Sequence, residues 1–405
     1  MSSTDRAVSL AGRPPSRLSL VLLVLFAVGW GANHFASAIP VLARRTGFDQ
    51  AVLDGAFGVY AVGLLPGLLG GGAFSDRLGR RPVMVTGAVI AALGNLVIAG
   101  WPEVTGIFLG RLVVGVGTGL AVSAGTAWSG DLGGRRGAPL AGTLLTCGFA
   151  AGPLVTGLLA TVLTGSATLP VPFVVASALT VIATVALAVA TRSPGDAAAG
   201  ERGSAARVGG TGQPAPAGPV RSNGRALAAA IPMALWVFST ATISLLVLSA
   251  RLGGGGERPW LPGVAAVLTL GSGVLVQLAA RRAGWGPQAG VVGSGLATLG
   301  FVGSALAGDH PSPLVFVVCS VVLGCAYGLC LRDGLVDVET LTPVRSRGLV
   351  TGVFYAATYL GFGVPVLLEV LRPVVGVAPP LLVLAALALL AALWRTTQVR
   401  AGRLR

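Results

Sequence analysis

The sequence predicts an all-α membrane protein with twelve transmembrane helices in two parallel six-helix repeats. Of the 405 residues, 54% are apolar and only 10% are charged, and the mean hydropathy is +0.83. A soluble chain would carry roughly 25% charged residues. Apolar runs of about twenty residues recur along the sequence, and each is long enough to cross a hydrocarbon core of about 30 Å. These runs lack the alternating polarity that is typical of a transmembrane β-barrel.

Polar breaks between the apolar runs define the larger divisions of the chain. The predicted spans are 18–43, 51–75, 82–100, 104–128, 139–163 and 170–190, then 226–250, 260–280, 288–307, 313–336, 348–371 and 377–394. Residues 192–225 are rich in Gly, Pro, Ala and Arg without an apolar period, which predicts a flexible linker. The divisions are a tail at 1–17, an N-terminal bundle at 18–191, the linker at 192–225, a C-terminal bundle at 226–394 and a basic tail at 395–405.

A repeated set of glycines relates the two bundles. A shift of 209 residues places Gly115 on Gly324 and Gly119 on Gly328, so one helix of each bundle matches in register. Parallel repeats joined by a linker are typical of membrane proteins that work by alternating access.

The 28 basic residues are all arginine, and they are distributed unequally between the two sides of the membrane. Arg44, Arg45, Arg251, Arg258 and Arg372 fall in one set of alternate loops, whereas most of the others fall in the opposite set and in the tails. Excess arginine marks the cytoplasmic side, so both termini are predicted to be cytoplasmic, in a plasma membrane of bacterial type. Because this topology accounts for the net charge of +14, no nucleic-acid partner is expected.

A short charged segment, 72–82, lies between the second and third spans. Its glycines allow a close helix contact and a turn with positive φ, and its arginines can pair with its aspartate or with anionic lipid headgroups. The segment resembles motif A, the signature loop of the major facilitator superfamily, and this resemblance implies a gating latch between the bundles. The residues concerned are Gly72, Asp76, Arg77, Gly79, Arg80 and Arg81.

The equivalent loop of the second bundle departs from the motif, because Arg281 occupies the aspartate position. The expected latch is therefore asymmetric and uses the loop of the first bundle. The alternative interpretation is that 72–82 only orients the protein in the membrane through its arginines.

Arg111 lies about a third of the way along the fourth span and is followed by the glycines at 115, 117 and 119. An arginine at that depth is costly unless it faces a polar cavity or a partner. The arrangement is similar to motif B of the superfamily, whose arginine is linked to proton coupling. Helix pairing or snorkelling of the side chain is the alternative.

The fifth span contains Gly148, Gly152, Pro153 and Gly157. The Gly-x-x-x-Gly spacing permits close helix contact, and proline bends a helix by removing a backbone donor, so the span is suited to pivoting. It resembles motif C, which occurs mainly in drug:proton antiporters and implies export. Thr156 replaces one glycine of the usual motif.

Two further pairs of polar residues lie inside predicted spans. Asn33 and His34, in the first span, are candidates for proton or substrate contact because histidine titrates near physiological pH; a buried, hydrogen-bonded structural histidine is the alternative. Arg332 and Asp333 are adjacent in the tenth span and are expected to bind different partners, since neighbours on a helix do not face each other. They are candidates for a cytoplasmic gate between the bundles, with a solvated helix end as the alternative.

The resemblance covers the chain from about residue 18 to residue 394 and implies a secondary active transporter. The expected function is proton-coupled efflux of a small hydrophobic compound or drug by alternating access, by a monomer in the lipid bilayer. The alternatives are proton-linked uptake of a sugar or other nutrient, and a transport-inactive membrane sensor or scaffold. No enzyme activity, metal or cofactor is expected, because the sequence shows no nucleophile–base set, phosphate loop or metal cluster.

Overall fold

Twelve long apolar helices make up most of the structure. The structure, a computed structural model, describes residues 16–191, 221–253, 258–402 and 404. Within these ranges, twelve helices are long and apolar enough to cross a bilayer, which confirms the predicted fold class. They are α1 (Arg17–Thr46), α2 (Gln50–Leu78), α3 (Arg80–Gly100), α4 (Val104–Gly133), α5 (Gly137–Val162), α6 (Pro170–Ala190), α7 (Asn223–Leu252), α8 (Leu261–Arg282), α9 (Gln288–Leu306), α10 (Pro313–Leu341), α11 (Leu349–Val375) and α12 (Ala378–Arg400).

The helices begin within a few residues of the predicted spans, and three of them, α4, α10 and α12, end five or six residues later than predicted. The sequence predicts a tail from residue 395, but α12 continues to Arg400. Arg395 is fully buried, and its Nη2 atom lies 2.5 Å from Asp333 Oδ2 and 2.6 Å from Asp337 Oδ2 of α10. These carboxylates neutralise the guanidinium, so the helix extends past it. Nearly all of the predicted N-terminal tail and linker lies outside the described residues.

Three of the helices change their geometry part of the way along. α1 is broken at His34 into Arg17–Asn33 and Phe35–Thr46. α7 contains a π-helical segment at Ile243–Leu248, and α11 contains a 3-10 turn at Leu360–Gly363. Such irregularities release backbone groups from the helical ladder and frequently occur at functional sites. Each of the three helices also contributes to the cavity described below.

The repeated glycines pack equivalent helices closely in the two bundles. In the first bundle α4 lies on α2, and a Cβ atom added to Gly119 would lie 2.7 Å from the backbone nitrogen of Leu68. In the second bundle α10 lies on α8, and a Cβ atom on Gly328 would lie 2.8 Å from Cα of Gly273. A larger residue at either position would separate the helices. The glycine repeat in the sequence is therefore a repeat of packing contacts.

The loops divide between the two ends of the helix array. The loops after α2, α4, α8 and α10 lie at one end, which we call the arginine-rich face, and the loops after α1 and α7 lie at the other, the arginine-poor face. Between the bundles, α2 packs on α11 and α5 packs on α8. Near the arginine-poor face, a Cβ atom on Gly157 would lie 2.6 Å from the carbonyl oxygen of Pro259, and one on Gly263 would lie 2.6 Å from the backbone nitrogen of Leu154.

The outer surface of the helices is apolar, as expected for contact with lipid tails. Leu306 and Val374, for example, are both 80% exposed. Exposed leucine and valine side chains also occur along α6, α10 and α12. A soluble monomer rarely exposes such continuous apolar surface. Together with the twelve spans, this surface indicates an integral, multi-pass membrane protein.

Candidate functional site

A cavity of about 60 Å³ lies between the two bundles. Pockets that hold drug-sized ligands typically measure about 300–1,000 Å³, so the bundles must separate before a ligand of that size can enter. The cavity is lined by Ala32, Asn33, Phe57, Tyr60, Leu64, Arg111 and Phe149 of the first bundle and by Phe238, Ala241, Thr242, Leu245, Leu270, Tyr327, Tyr359 and Phe362 of the second.

Aromatic rings form nearly half of the cavity wall, at seven of its fifteen residues. Phe238 stacks on Tyr359 with ring centroids 5.0 Å apart and an interplanar angle of 11°. Phe362 lies 4.8 Å from Phe238 and stacks at 5.3 Å on Phe57 of the first bundle. Aromatic side chains offer large apolar faces that stack on flat groups. The wall is therefore suited to an apolar compound with an aromatic ring.

Arg111 is fully buried, and its guanidinium lies among neutral groups. Its Cζ atom is 4.6 Å from the ring centroid of Phe35 and 4.7 Å from that of Tyr60, within the range of cation–π attraction. Nη1 donates a hydrogen bond of 2.8 Å to the carbonyl oxygen of Ala32, and Nε and Nη2 donate longer ones of 3.4 Å to the carbonyls of Ala56 and Phe57. Arg111 faces the cavity, the setting that an arginine at this depth requires.

His34 lies at the break in α1 and is buried in the core of the first bundle rather than in the cavity wall. Its Nε2 atom is 3.1 Å from Asn95 Oδ1 of α3, and its Nδ1 atom is 3.3 Å from Thr156 Oγ1 of α5. Asn95 Nδ2 donates to the carbonyl of Gly31, which leaves Oδ1 as the acceptor. His34 therefore donates from Nε2 and accepts at Nδ1 from the Thr156 hydroxyl. The substitution of Thr156 into the motif C segment supplies a partner for this histidine.

Asn33 has different surroundings from its neighbour His34. It lines the cavity, and its Nδ2 atom donates a hydrogen bond of 2.7 Å to the carbonyl oxygen of Phe149 on α5. The structure thus separates two residues that the sequence groups together: Asn33 lines the cavity, and His34 lies inside the helix packing.

The motif A segment forms a polar network on the arginine-rich face. Nη1 of Arg80 lies 2.7 Å from Asp76 Oδ1, and Nε of Arg80 lies 3.3 Å from Asp131 Oδ2 at the end of α4. Arg81 donates to the carbonyl of Ala188 on α6. Gly79 has a φ of 95°, which permits the tight turn between α2 and α3. The remaining two residues, Gly72 and Arg77, are half-buried and exposed, respectively.

These motif A contacts connect α2, α3, α4 and α6 of the first bundle. A latch between the bundles stays a prediction for this loop. Earlier in α2, the side chain of Leu69 lies against Gly352 of α11, where an added Cβ atom would clash with it. α2 therefore touches the second bundle near this face.

The motif C residues divide into two groups of contacts. Gly148 and Gly152 face α1: added Cβ atoms would lie 2.9 Å from the nitrogen and 2.6 Å from the carbonyl oxygen of Trp30, respectively. Gly157 faces the second bundle next to Pro259, and Pro153 lies against Gly263. α5 is therefore packed backbone to backbone against both its own bundle and the opposite one.

Arg332 and Asp333 point to different parts of the second bundle. Arg332 Nη2 donates to the carbonyl oxygen of Trp285 in the loop between α8 and α9, at 3.0 Å. Asp333 is fully buried and paired with Arg395. Their role as a gate between the bundles stays a prediction.

Some residues of the site escaped the sequence analysis. Asn95 has an ordinary type for a membrane helix, and only its contact with His34 gives it significance. Thr156 was visible as a departure from motif C, but its contact with His34 was not. Arg395 was indistinguishable from the arginines of a cytoplasmic tail. A usable signal was the pair of aspartates at 333 and 337, one helical turn apart in an apolar span, because such a pair requires a cation nearby.

Two six-helix bundles that pack through glycines on either side of a shared cavity have the architecture of a secondary transporter. The chain belongs to the Major Facilitator Superfamily, since the model of that family matches residues 21–365.

Part of the chain is similar to curated relatives named Multidrug resistance protein MdtL. The identity is 33% over 101 residues with the protein from Klebsiella pneumoniae (strain 342) and 32% over 89 residues with that from Shewanella oneidensis. These matches cover 25% and 22% of this chain, respectively, and the same shares of the relatives. The similarity thus spans about a quarter of the length of the curated relatives.

Solved structures of transporters share the fold over nearly the whole chain. A POT family transporter in complex with a thioalcohol conjugated peptide matches with a TM-score of 0.74, covering 95% of this chain and 96% of that chain. The xylose transporter XylE from E. coli, in a partially occluded inward open conformation, matches with a TM-score of 0.73, covering 94% and 96%. Both are 14% identical to this chain and therefore show the fold alone.

Proposed function

We propose that the protein exports small hydrophobic compounds in exchange for protons, by alternating access. The observation that carries the proposal is the aromatic-walled cavity between the two bundles. Its wall favours apolar ring compounds over sugars, which need many hydrogen-bonding side chains. The partial similarity to proteins named for multidrug resistance supports export over nutrient uptake.

In the proposed cycle, the two bundles rock about the cavity and expose it to each face in turn. The contacts of Gly157 and Gly263 close the cavity towards the arginine-poor face and must open for release there. The motif A network holds the first bundle together at the arginine-rich face, where we assign the latch. We place this face and both termini in the cytoplasm. We propose that the transporting unit is a monomer, with the cavity between its own two bundles.

His34 and Arg111 are the proposed proton-coupling residues. Protonation of His34 at Nδ1 turns that atom from an acceptor into a donor. The hydroxyl of Thr156 can rotate and accept this hydrogen bond, because a hydroxyl both donates and accepts. The site can therefore hold the histidine in either charge state without leaving a buried polar atom unpaired. Arg111 links the same stretch of α1 to the cavity through the carbonyl of Ala32.

Transport into inside-out membrane vesicles tests the direction and the coupling. In vesicles with an acidic interior, we expect accumulation of radiolabelled 2-naphthamide or 2-naphthoate that stops when an uncoupler collapses the proton gradient. Passive diffusion excludes a weak acid such as naphthoate from an acidic compartment, so its accumulation would require the transporter. Vesicles without the protein are the control. Uptake only into right-side-out vesicles would contradict export and favour the nutrient-uptake alternative.

A His34→Gln variant is expected to lose gradient-driven accumulation while it keeps exchange of labelled for unlabelled compound. The physical reason is that glutamine cannot take up a proton at this site, whereas exchange needs only the movement of the bundles. The measurement compares the two rates in the same vesicles. His310→Gln, the same substitution at an exposed histidine in the loop between α9 and α10, serves as the matched control. Loss of exchange in His34→Gln would assign the histidine a structural role instead.

A further inference from the structure

Among the described residues that line the cavity, Arg111 is the one charged side chain, and none is a carboxylate. The other polar groups there are neutral: the amide of Asn33, the hydroxyl of Thr242 and the phenols of three tyrosines. An anion that enters this cavity would therefore meet a positive charge and no negative one. A cation would meet only repulsion from the guanidinium and the weaker attraction of ring faces.

The guanidinium of Arg111 also lacks an ionic partner within the described part of the chain, where its neighbours are carbonyl oxygens and aromatic rings. The buried arginine of the second bundle shows the contrast, because Arg395 contacts two carboxylates. Carbonyl dipoles and ring faces only partly replace a counter-ion. The Nη1 and Nη2 atoms of an arginine carry two N–H groups each, and a carboxylate can bind both atoms at once.

A second observation at the same place concerns Tyr60, which lines the cavity, is 4% exposed and has its ring under the guanidinium of Arg111. Its hydroxyl lies against the side chain of Thr118 on α4, and neither hydroxyl makes a hydrogen bond of normal geometry among the residues that the structure describes. A buried hydroxyl with a poor hydrogen bond is costly. A ligand oxygen near Arg111 would offer the hydroxyl of Tyr60 a better acceptor.

From these observations we infer that the cavity selects lipophilic aromatic anions, with Arg111 as the counter-ion of the ligand's acidic group and the Phe238–Tyr359–Phe362 wall as the platform for its ring. The inference rests on the proposed function in one respect: it assumes that the cavity between the bundles is the substrate-binding site. It assigns to that substrate a charge, which neither the family nor the named relatives determine.

Three probes that share one ring system test the inference on the purified full-length protein in lipid nanodiscs. They are 2-naphthoate, 2-naphthamide and 2-naphthylmethylammonium, which carry a negative, a neutral and a positive group. Calorimetric titration is expected to show affinities that decrease from naphthoate through naphthamide to the ammonium probe. Naphthoate should bind roughly 10- to 100-fold more tightly than the amide, a ratio in the range expected for one charge pair about 4 Å apart at the edge of a low-dielectric site. The ammonium probe should bind most weakly.

Substituted variants then test whether Arg111 causes the preference for naphthoate over naphthamide. In Arg111→Gln, naphthoate and naphthamide are expected to bind within about twofold of each other, while the exposed Arg400→Gln control keeps the preference of the unmodified protein. Tyr60→Phe should weaken naphthoate binding and leave the ring contacts intact. If Arg111→Gln does not fold, the probe series on the unmodified protein still decides. Equal or tighter binding of the amide or the ammonium probe, or no binding of any probe, would overturn the inference.

The binding test also separates this inference from the proposed transport function. Binding needs no proton gradient and no vesicle. Tight naphthoate binding that depends on Arg111, together with failure of gradient-driven accumulation, would support the anion site and contradict proton-coupled export. Accumulation of naphthamide with no preference for naphthoate would support export and overturn the charge selection.

Discussion

A Gly263→Leu variant is expected to fold and insert into the membrane but to lose nearly all transport. Gly263 of α8 lies against the backbone of α5 near the arginine-poor face, where an added Cβ atom would be 2.6 Å from the nitrogen of Leu154 and 2.8 Å from the carbonyl carbon of Pro153. Backbone atoms cannot move aside as a flexible side chain can. A leucine there must hold the two bundles apart at this face, which leaves the cavity open to one side only.

The size of the effect follows from the cost of overpacking, which is about 1–3 kcal/mol and occasionally more. A bias of that size shifts a two-state equilibrium by roughly 5- to 150-fold. Spin labels at the exposed positions Arg44 and Arg258, one on each bundle, should report a longer distance in the variant. The matched control is Gly271→Leu in the same helix, where a Cβ atom meets nothing within 4 Å. Equal transport by the two variants would show that this contact does not gate the cavity.

Replacing Arg395 with methionine is expected to destabilise the protein by about 3–5 kcal/mol, because it removes the buried guanidinium that pairs with the carboxylates of Asp333 and Asp337. Methionine fills a similar volume, so the loss reports charge rather than packing. The cluster joins α10 and α12, and Arg395 also donates to the carbonyl of Ala229 on α7. The expected damage is therefore to the second bundle as a whole.

Unfolding by sodium dodecyl sulfate in mixed micelles measures this change. Arg400→Met, an exposed arginine in the last turn of the same helix, is the control and should unfold like the unmodified protein. Equal stability of the two variants would mean that Arg395 is not what keeps the aspartates in the interior. The comparison of Arg395→Met with Arg400→Met also tests whether residue 395 lies in the core, as the extension of the helix to Arg400 requires, or in a solvated tail.

The twelve helices could be predicted from the sequence because membrane insertion depends on apolar length, a local property. The glycine repeat could be predicted for a related reason: Gly119 and Gly328 are each required by a close approach of two backbones, which leaves a mark at a single position. Both features depend on short stretches of sequence, and the structure contains both the twelve helices and the repeated glycine contacts.

The candidate site could be predicted only in part, since its contacts join residues far apart in the chain. The sequence identifies Arg111 through its cost inside a membrane and Asn33 as the neighbour of the titratable His34, and both Arg111 and Asn33 line the cavity. It does not show that the ring of Phe362 stacks on that of Phe57, more than three hundred residues earlier. Tyrosine and phenylalanine are ordinary in membrane helices, so nothing in the sequence distinguishes those of the wall from those that face lipid.

The break in α1 connects two environments through a single peptide unit. Asn33, on one side of that unit, is held to Phe149 at the cavity wall, and His34, on the other, is held to Asn95 and Thr156 inside the bundle. We expect a ligand that binds the amide of Asn33 to compete for it with the carbonyl of Phe149, one residue away from the imidazole of His34. The wall of the cavity and the interior of the first bundle are thus adjoining environments along α1.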